Sequence, residues 1–203
     1  MASPFAENRQ DVLVAAINAR SFGTLITAHD GDIQLSHAPF LCQVQDSAIT
    51  LIGHLARNNP QLAHLQRGAG ALVSFLIDDA YISPGWYPTK YETGRAVPTW
   101  NYMSVAARGS VELVEDKDAL LALVDDLTAR HEEGRPKPWT TGEAPLDYIE
   151  GLLKGIVGLK ISVQALSGIW KMSQNKNAAD RHGVAEGLRA EGKAQFAGHI
   201  TEI

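Results

Sequence analysis

The stretch "SFGTLITAHDGDIQLSHAPFLCQ", from Ser21 to Gln43, constrains this chain most. Two β-rich runs flank Asp30-Gly31, and an Asp-Gly step between such runs is the signature of a tight hairpin turn whose twist matches that of the strands. Within the second run Pro39 cannot donate to a ladder, which suits an edge strand or a bulge. "SAITLIGHLA" predicts a third strand and "ALVSFLIDDAYIS" a fourth. "NYMSVAARGSVELVED" predicts a long strand with Gly109 as a candidate bulge. "GIVGLKISVQALSGIWKMS" predicts a return to the sheet.

Helices are inserted between these strands. The spacing of Val12, Ala15, Ala16 and Ala19 predicts a helix from Asn8 to Arg20, with Asn8 as its N-cap. "NPQLAHLQRGAG" predicts a short helix with Pro60 early and glycine at its end. "DKDALLALVDDLTARHEE" puts Leu120, Leu123, Val124 and Leu127 on one face behind an Asp cap. A proline-rich linker, "RPKPWTTGEAP", leads to another helix in "PLDYIEGLLKGI", and a polar C-terminal helix is expected at about residues 176–192. No regular βαβ unit occurs, so a doubly wound parallel sheet is disfavoured. The expectation is a mainly β fold with peripheral helices, a closed or partly closed barrel formed by a single domain of 203 residues.

The net charge of −5 argues against a broad nucleic-acid surface, which needs a clustered basic face. The single cysteine, Cys42, allows no internal disulfide, and its apolar strand suits a buried, inert thiol. With no signal-peptide pattern and no apolar run of membrane-spanning length, a reducing cytoplasm is the expected location. No metal-ligand spacing, nucleophile elbow or dinucleotide or phosphate-loop fingerprint is present.

Four segments carry chemistry-bearing residues. "GHLARNNPQ" places His54, Arg57 and Asn58 where a strand passes into a helix, an arrangement that serves an anion or simply caps a helix beside a surface Arg. "LSHAPF" carries Ser36 and His37, either a polar corner of a site or an edge strand with a satisfied His. "YISPGWYPTKYETGRAVPTWNY" concentrates Trp86, Tyr87, Tyr91, Trp100 and Tyr102 among Lys90, Thr99 and Asn101. It suits a barrel plug or the wall of a site for a flat ligand. "KMSQNKNAADRHGV" groups Lys171, Ser173, Gln174 and Asn175, either ligand donors or a polar turn before an N-capped helix.

As an ordered set these four segments resemble the PaiB-like proteins, known as FMN-binding negative transcriptional regulators, of the flavin-binding split-barrel superfamily that also holds pyridoxamine-phosphate oxidases. The resemblance covers nearly the whole chain. It implies a split β-barrel homodimer with FMN at the subunit interface. By the same resemblance Ser36, His37, His54, Arg57 and Asn58 lie at the cofactor, with His54, Arg57 and Asn58 at its phosphate. Trp86, Tyr87, Lys90, Trp100 and Asn101 would line the flavin, and Lys171, Ser173, Gln174 and Asn175 would close the site. Where the oxidases carry Ser-Arg-Lys, this chain has Ala56, Arg57 and Asn58, one cation fewer. Alternative functions are an FMN-dependent oxidoreductase, with His37, Tyr87 and Lys90 as assisting groups, and a heme-binding split barrel. Neither the charge nor any motif supports direct DNA binding.

Overall fold

The Asp30-Gly31 step makes the expected turn: both residues have positive φ, the type I′ signature. The computed structural model describes residues 4–201. Its strands are β1 (Ala6–Glu7), β2 (Phe22–His29), β3 (Asp32–Pro39), β4 (Leu41–Gln45), β5 (Ala48–Ala56), β6 (Ala71–Ile82), β7 (Thr99–Val114) and β8 (Ile156–Lys171). Its helices are α1 (Gln10–Ala19), α2 (Gln61–Gln66), α3 (Pro88–Thr93), α4 (Lys117–Glu132), α5 (Leu146–Leu153), α6 (Ala178–Ala190) and α7 (Ala194–Thr201). The strands form one sheet in the order β3-β2-β6-β7-β8-β5-β4, with β1 antiparallel to β8. β2 with β3, β2 with β6, β4 with β5 and β5 with β8 are likewise antiparallel.

The chain divides into two compact units. One comprises Ile17–Phe75 and Ala106–Leu166; the other comprises the residues up to Ala16, Leu76–Val105, and those from Ser167 onward. In the first unit burial alternates along β2 and β5, as a sheet with one core face requires. Leu25, Phe40, Leu51, Val73, Phe75, Leu159 and Ile161 are fully buried. β3 and β4, the two ends of the sheet order, are joined through Phe40 alone. The Phe40 N–H donates to the Ser21 carbonyl at 2.8 Å, and its ring meets Phe75 edge-on at 6.1 Å.

α4 follows its pattern. The Asp116 carboxylate accepts from the Ala119 N–H at 3.0 Å, and Leu120, Leu123 and Leu127 are buried. Leu123 and Leu127 pack on Leu41 and Ile52 of β4 and β5. Leu120 packs on Ile149 and Leu153 of α5.

The second unit has its own core. Ala80, Ile82, Tyr87, Met103 and Met172 pack with Val184, Ala185 and Leu188 of α6 and with Phe196, Ala197 and Ile200 of α7. α6 approaches the Pro84–Trp86 turn so closely that a Cβ at Gly183 would lie 2.0 Å from the Trp86 carbonyl oxygen. A Cβ at Gly187 would lie 2.3 Å from the Trp86 ring.

Several elements differ from the sequence expectation. β1, β4, α3 and α7 are additional, and α6 is therefore not the last helix. The N-terminal helix is entered through Glu7, not Asn8: the Glu7 carboxylate accepts from the Arg9 backbone N–H at 2.9 Å and from its guanidinium at 2.6 Å. That guanidinium, before all else, pulls the Glu7 pKa down to about 2. Gly109 stands inside an uninterrupted β7, and what requires a glycine there is a close backbone approach. A Cβ would fall 2.1 Å from the Ser162 carbonyl oxygen of β8.

Two measurements check this packing. Phe40→Ala removes a fully buried ring and is expected to cost about 3–5 kcal/mol, read as a lower urea midpoint with an unchanged slope. Cys42 is buried in β4, and desolvation raises its pKa to about 11. A thiol reagent at pH 8 should titrate no cysteine in the native protein and one in denaturant.

Candidate functional site

The sequence-predicted site residues fall into two groups, one in each unit. In the barrel unit, residues of β3 alternate between faces, so Ser36 turns inward and His37 outward. The Ser36 hydroxyl accepts from Asn59 Nδ2 at 2.8 Å, while Asn59 Oδ1 accepts from the Gln61 N–H at 2.9 Å. Asn59 thus opens α2 and ties the β5–α2 turn to β3. Gln61 is fully buried, and its side-chain amide donates to the carbonyls of Leu25 and Gln34. His37 is exposed, stacks on Phe22 at 6.1 Å, and pairs its Nδ1 with the Thr24 hydroxyl at 3.1 Å. Asn58 is exposed and makes no side-chain hydrogen bond among the described residues.

Arg57 and His54 lie toward α4 and α5. The Arg57 guanidinium pairs with Glu115 at 2.6 Å and donates to the carbonyls of Lys154 and Ile156. Its backbone N–H donates to the Gly155 carbonyl. In this geometry Arg57 clamps the turn to the start of β8. His54 shares a strand face with Ile52 and lines a cavity with Pro39, Val124, Leu127, Thr128, His131, Glu132 and Trp139. Its Nδ1 is buried without a hydrogen-bond partner, and desolvation lowers its pKa.

In the second unit the aromatics separate. Trp86 packs in the core and Tyr87 is 1% exposed. Lys176 Nζ lies 4.8 Å from the centre of the Tyr87 ring. Trp100 is 54% exposed and meets Tyr81 edge-on at 5.9 Å. Lys90 lies 5.3 Å from the centre of the exposed Tyr91 ring. Lys171 donates to the Thr99 hydroxyl at 2.6 Å. Gln174 closes its own turn, its Oε1 accepting from the Met172 N–H and its Nε2 donating to the Trp170 carbonyl. Asn175 is exposed.

Buried Asn101 donates from Nδ2 to the Ser173 hydroxyl at 2.8 Å, fixing a residue held at φ +62°. Asn101 Oδ1 and the Tyr87 hydroxyl are buried without a hydrogen bond. Burial raises the Tyr87 pKa, and Ser173 is near enough to oppose that shift without ordinary hydrogen-bond geometry. Asp180 joins α6 to α3 by accepting from both the N–H and the hydroxyl of Thr89.

Sequence reasoning missed Asn59 and Gln61. The signal for Asn59 was present, because an Asn before a proline-led helix is a natural cap.

A flavin mononucleotide needs neutral or cationic donors at its phosphate and an aromatic surface beside polar groups. His37 and Asn58 are exposed polar side chains with no carboxylate bonded to either, whereas Ser36, on the opposite face of β3, is taken up by Asn59. Trp100, beside Thr99 and near the Lys171–Thr99 pair in the chain's hydrogen bonding, supplies exposed aromatic surface. By residue type, each unit taken by itself carries groups that suit FMN.

The comparisons point to the same cofactor. An open, mainly antiparallel eight-stranded sheet with helices is the architecture of the flavin-binding split barrels. The FAD and heme binding protein from Mycobacterium smegmatis superimposes with a TM-score of 0.60 at 20% identity, covering 90% of this chain and 80% of that one. A family model described as "Putative FMN-binding domain" matches residues 1–165, so the chain belongs to that FMN-binding family, and FMN is its cofactor. The protease synthase and sporulation protein PAI 2 of Bacillus subtilis is 34% identical over 175 residues, 86% of this chain and 82% of that protein. An uncharacterized protein of Aspergillus fumigatus is 34% identical over 234 residues, 92% of this chain and 89% of its own length. No helix of the described residues is long and apolar enough to cross a membrane.

Tyr87→Phe removes a buried hydroxyl that has no partner. It is expected to leave stability unchanged or raise it by up to about 1 kcal/mol. A clear loss of thermal stability would mean that the hydroxyl has a partner in solution.

Proposed function

We propose that this chain is an FMN-binding protein of the PaiB-like regulator type, holding FMN at a homodimer interface. The observation that carries the dimer is the outer face of the β2–β3 hairpin. Phe22, Ile33 and Leu35 are 66%, 68% and 62% exposed, and cross-strand pairing sets Leu35 beside Ile26 and Ile33 beside Ala28. A contiguous apolar face of this kind marks an interaction surface, and a self-complementary patch makes a closed dimer. His37 lies on the same face, which brings a phosphate donor to the proposed interface.

In this reading His37 and Asn58 receive the phosphate, while Asn59, held to Ser36, fixes the β5–α2 turn. Arg57 acts by positioning the turn, since it reaches a phosphate only by leaving Glu115. Within the second unit, taken by itself, Trp100 and Lys171 suit an isoalloxazine by residue type, and Asn101 and Ser173 hold the Lys171–Asn175 turn in shape. FMN, when bound, supplies one- and two-electron chemistry; the protein supplies position and electrostatics. Regulation is assigned through a partner, because a net charge of −5 disfavours direct DNA contact.

The test is FMN fluorescence quenching with light scattering on the same sample. Wild type should be a dimer that quenches FMN saturably. Leu35→Asp should be monomeric and bind FMN at least tenfold more weakly, and Asn58→Ala and Trp100→Ala should weaken FMN without dissociating the dimer. A monomeric wild type with full FMN affinity would refute the interface. A Soret band in the purified protein would favour heme instead.

A further inference from the structure

We infer that Glu115 sets how strongly the flavin site distinguishes FMN from riboflavin: its carboxylate neutralises Arg57, so the phosphate adds little affinity until that pair is broken. This rests on the phosphate lying at the β5–α2 turn, as proposed above, and concerns the selectivity of that same site.

The charges at the turn carry the argument. Residues 57–60 hold one cationic side chain, Arg57, followed by Asn58, Asn59 and Pro60. A phosphate monoester carries about −1.5 to −2 charge near neutral pH. A guanidinium is its natural partner, through two parallel hydrogen bonds. In this fold all three nitrogens of the Arg57 guanidinium are already engaged. Nη1 donates to Glu115 Oε1 at 2.6 Å, Nε to the Lys154 carbonyl at 3.0 Å and Nη2 to the Ile156 carbonyl at 3.1 Å. Arg57 and Glu115 together carry no net charge. A phosphate at Asn58 therefore gains no unopposed cation from the turn.

The neighbouring lysines do not replace it. Lys117 pairs with Glu150 at 2.5 Å, and Lys117 and, after it, Lys154 hold the Glu150 carboxyl below the usual carboxylate range. Arg57, Glu115, Lys117, Glu150 and Lys154 line one hollow, which borders α4 and α5. β3, which carries His37, contributes no residue to it. Glu115 is fixed there by the backbone, since it stands between the end of β7 and the Asp116 cap of α4.

The pair is nonetheless one that a ligand can open. The Arg57 and Glu115 side chains are 46% and 57% exposed, and an ion pair so placed contributes little by itself. The phosphate, with the larger charge, competes with the carboxylate for Arg57, and what it gains is net of the pair given up. Removing the charge of Glu115 removes that competition and leaves the two carbonyl contacts of Arg57 available.

The test compares the dissociation constants of FMN and riboflavin, by fluorescence quenching, in wild type, Glu115→Gln, Arg57→Gln and the double variant. Wild type should bind the two flavins within about fivefold of each other, the scale of an exposed ion pair. Glu115→Gln should raise the preference for FMN by about a further fivefold, and that gain should shrink as salt is added, because it comes from an exposed charge. In the double variant the gain should vanish. If Glu115 only stabilises the turn, its substitution shifts both flavins together, with no change in preference or salt dependence, and the inference is overturned. A wild-type preference for FMN of about a hundredfold or more overturns it as well, since that is far beyond the scale of an exposed ion pair. If neither flavin binds any of these proteins, the cofactor reading itself falls and takes the inference with it.

Discussion

Phe40 is the residue on which the barrel unit depends. β3 and β4 stand at opposite ends of the sheet order, yet only this residue separates them in the chain. A flat sheet cannot satisfy that link, so the strands must curl until Pro39 and Phe40 lie against β5. Gly53 on β5 makes the meeting possible, since a Cβ there would lie 2.8 Å from the Pro39 carbonyl oxygen and 2.9 Å from the Phe40 ring. Pro39, which cannot donate to a neighbouring strand, ends β3 at that corner. The curl leaves the inner face filled by Leu25, Val73 and Phe75. It also leaves the outer face of the β2–β3 hairpin bare, with the apolar surface proposed for the second subunit.

The other unit turns on the contact between Trp86 and α6. Two glycines one helical turn apart, Gly183 and Gly187, let that helix lie directly on the Trp86 backbone and ring. This contact sorts the aromatic segment. Tyr87 is consumed by the core and half-buried Trp86 packs against it, whereas Tyr91 and Trp100 stay exposed. The segment is therefore in part a plug, and its exposed members are the ones left for the ligand role proposed above.

Much of the fold was legible in the sequence because its signals are local. The Asp30-Gly31 turn, the Asp116 cap and the 3.6-residue spacing of Leu120, Leu123 and Leu127 each act over a few residues, and each folds as its pattern requires. β4 was overlooked because its turn is Asp46-Ser47 at positive φ, without the glycine that marks the Asp30-Gly31 turn. β1 is two residues long, and only β8 makes it a strand.

The candidate site was legible in its residue types and not in their directions. The sequence by itself determined a strand-rich chain with hairpin register, capped helices and four polar or aromatic segments in a family's order, because turn chemistry and periodicity are short-range. Only the tertiary structure decided that Arg57 spends its guanidinium on Glu115, 58 residues away, that His54 turns to α4, and that Asn59 reaches Ser36. Those outcomes depend on which strand face is covered and by which helix. That is set by long-range pairing and packing, which no single segment encodes.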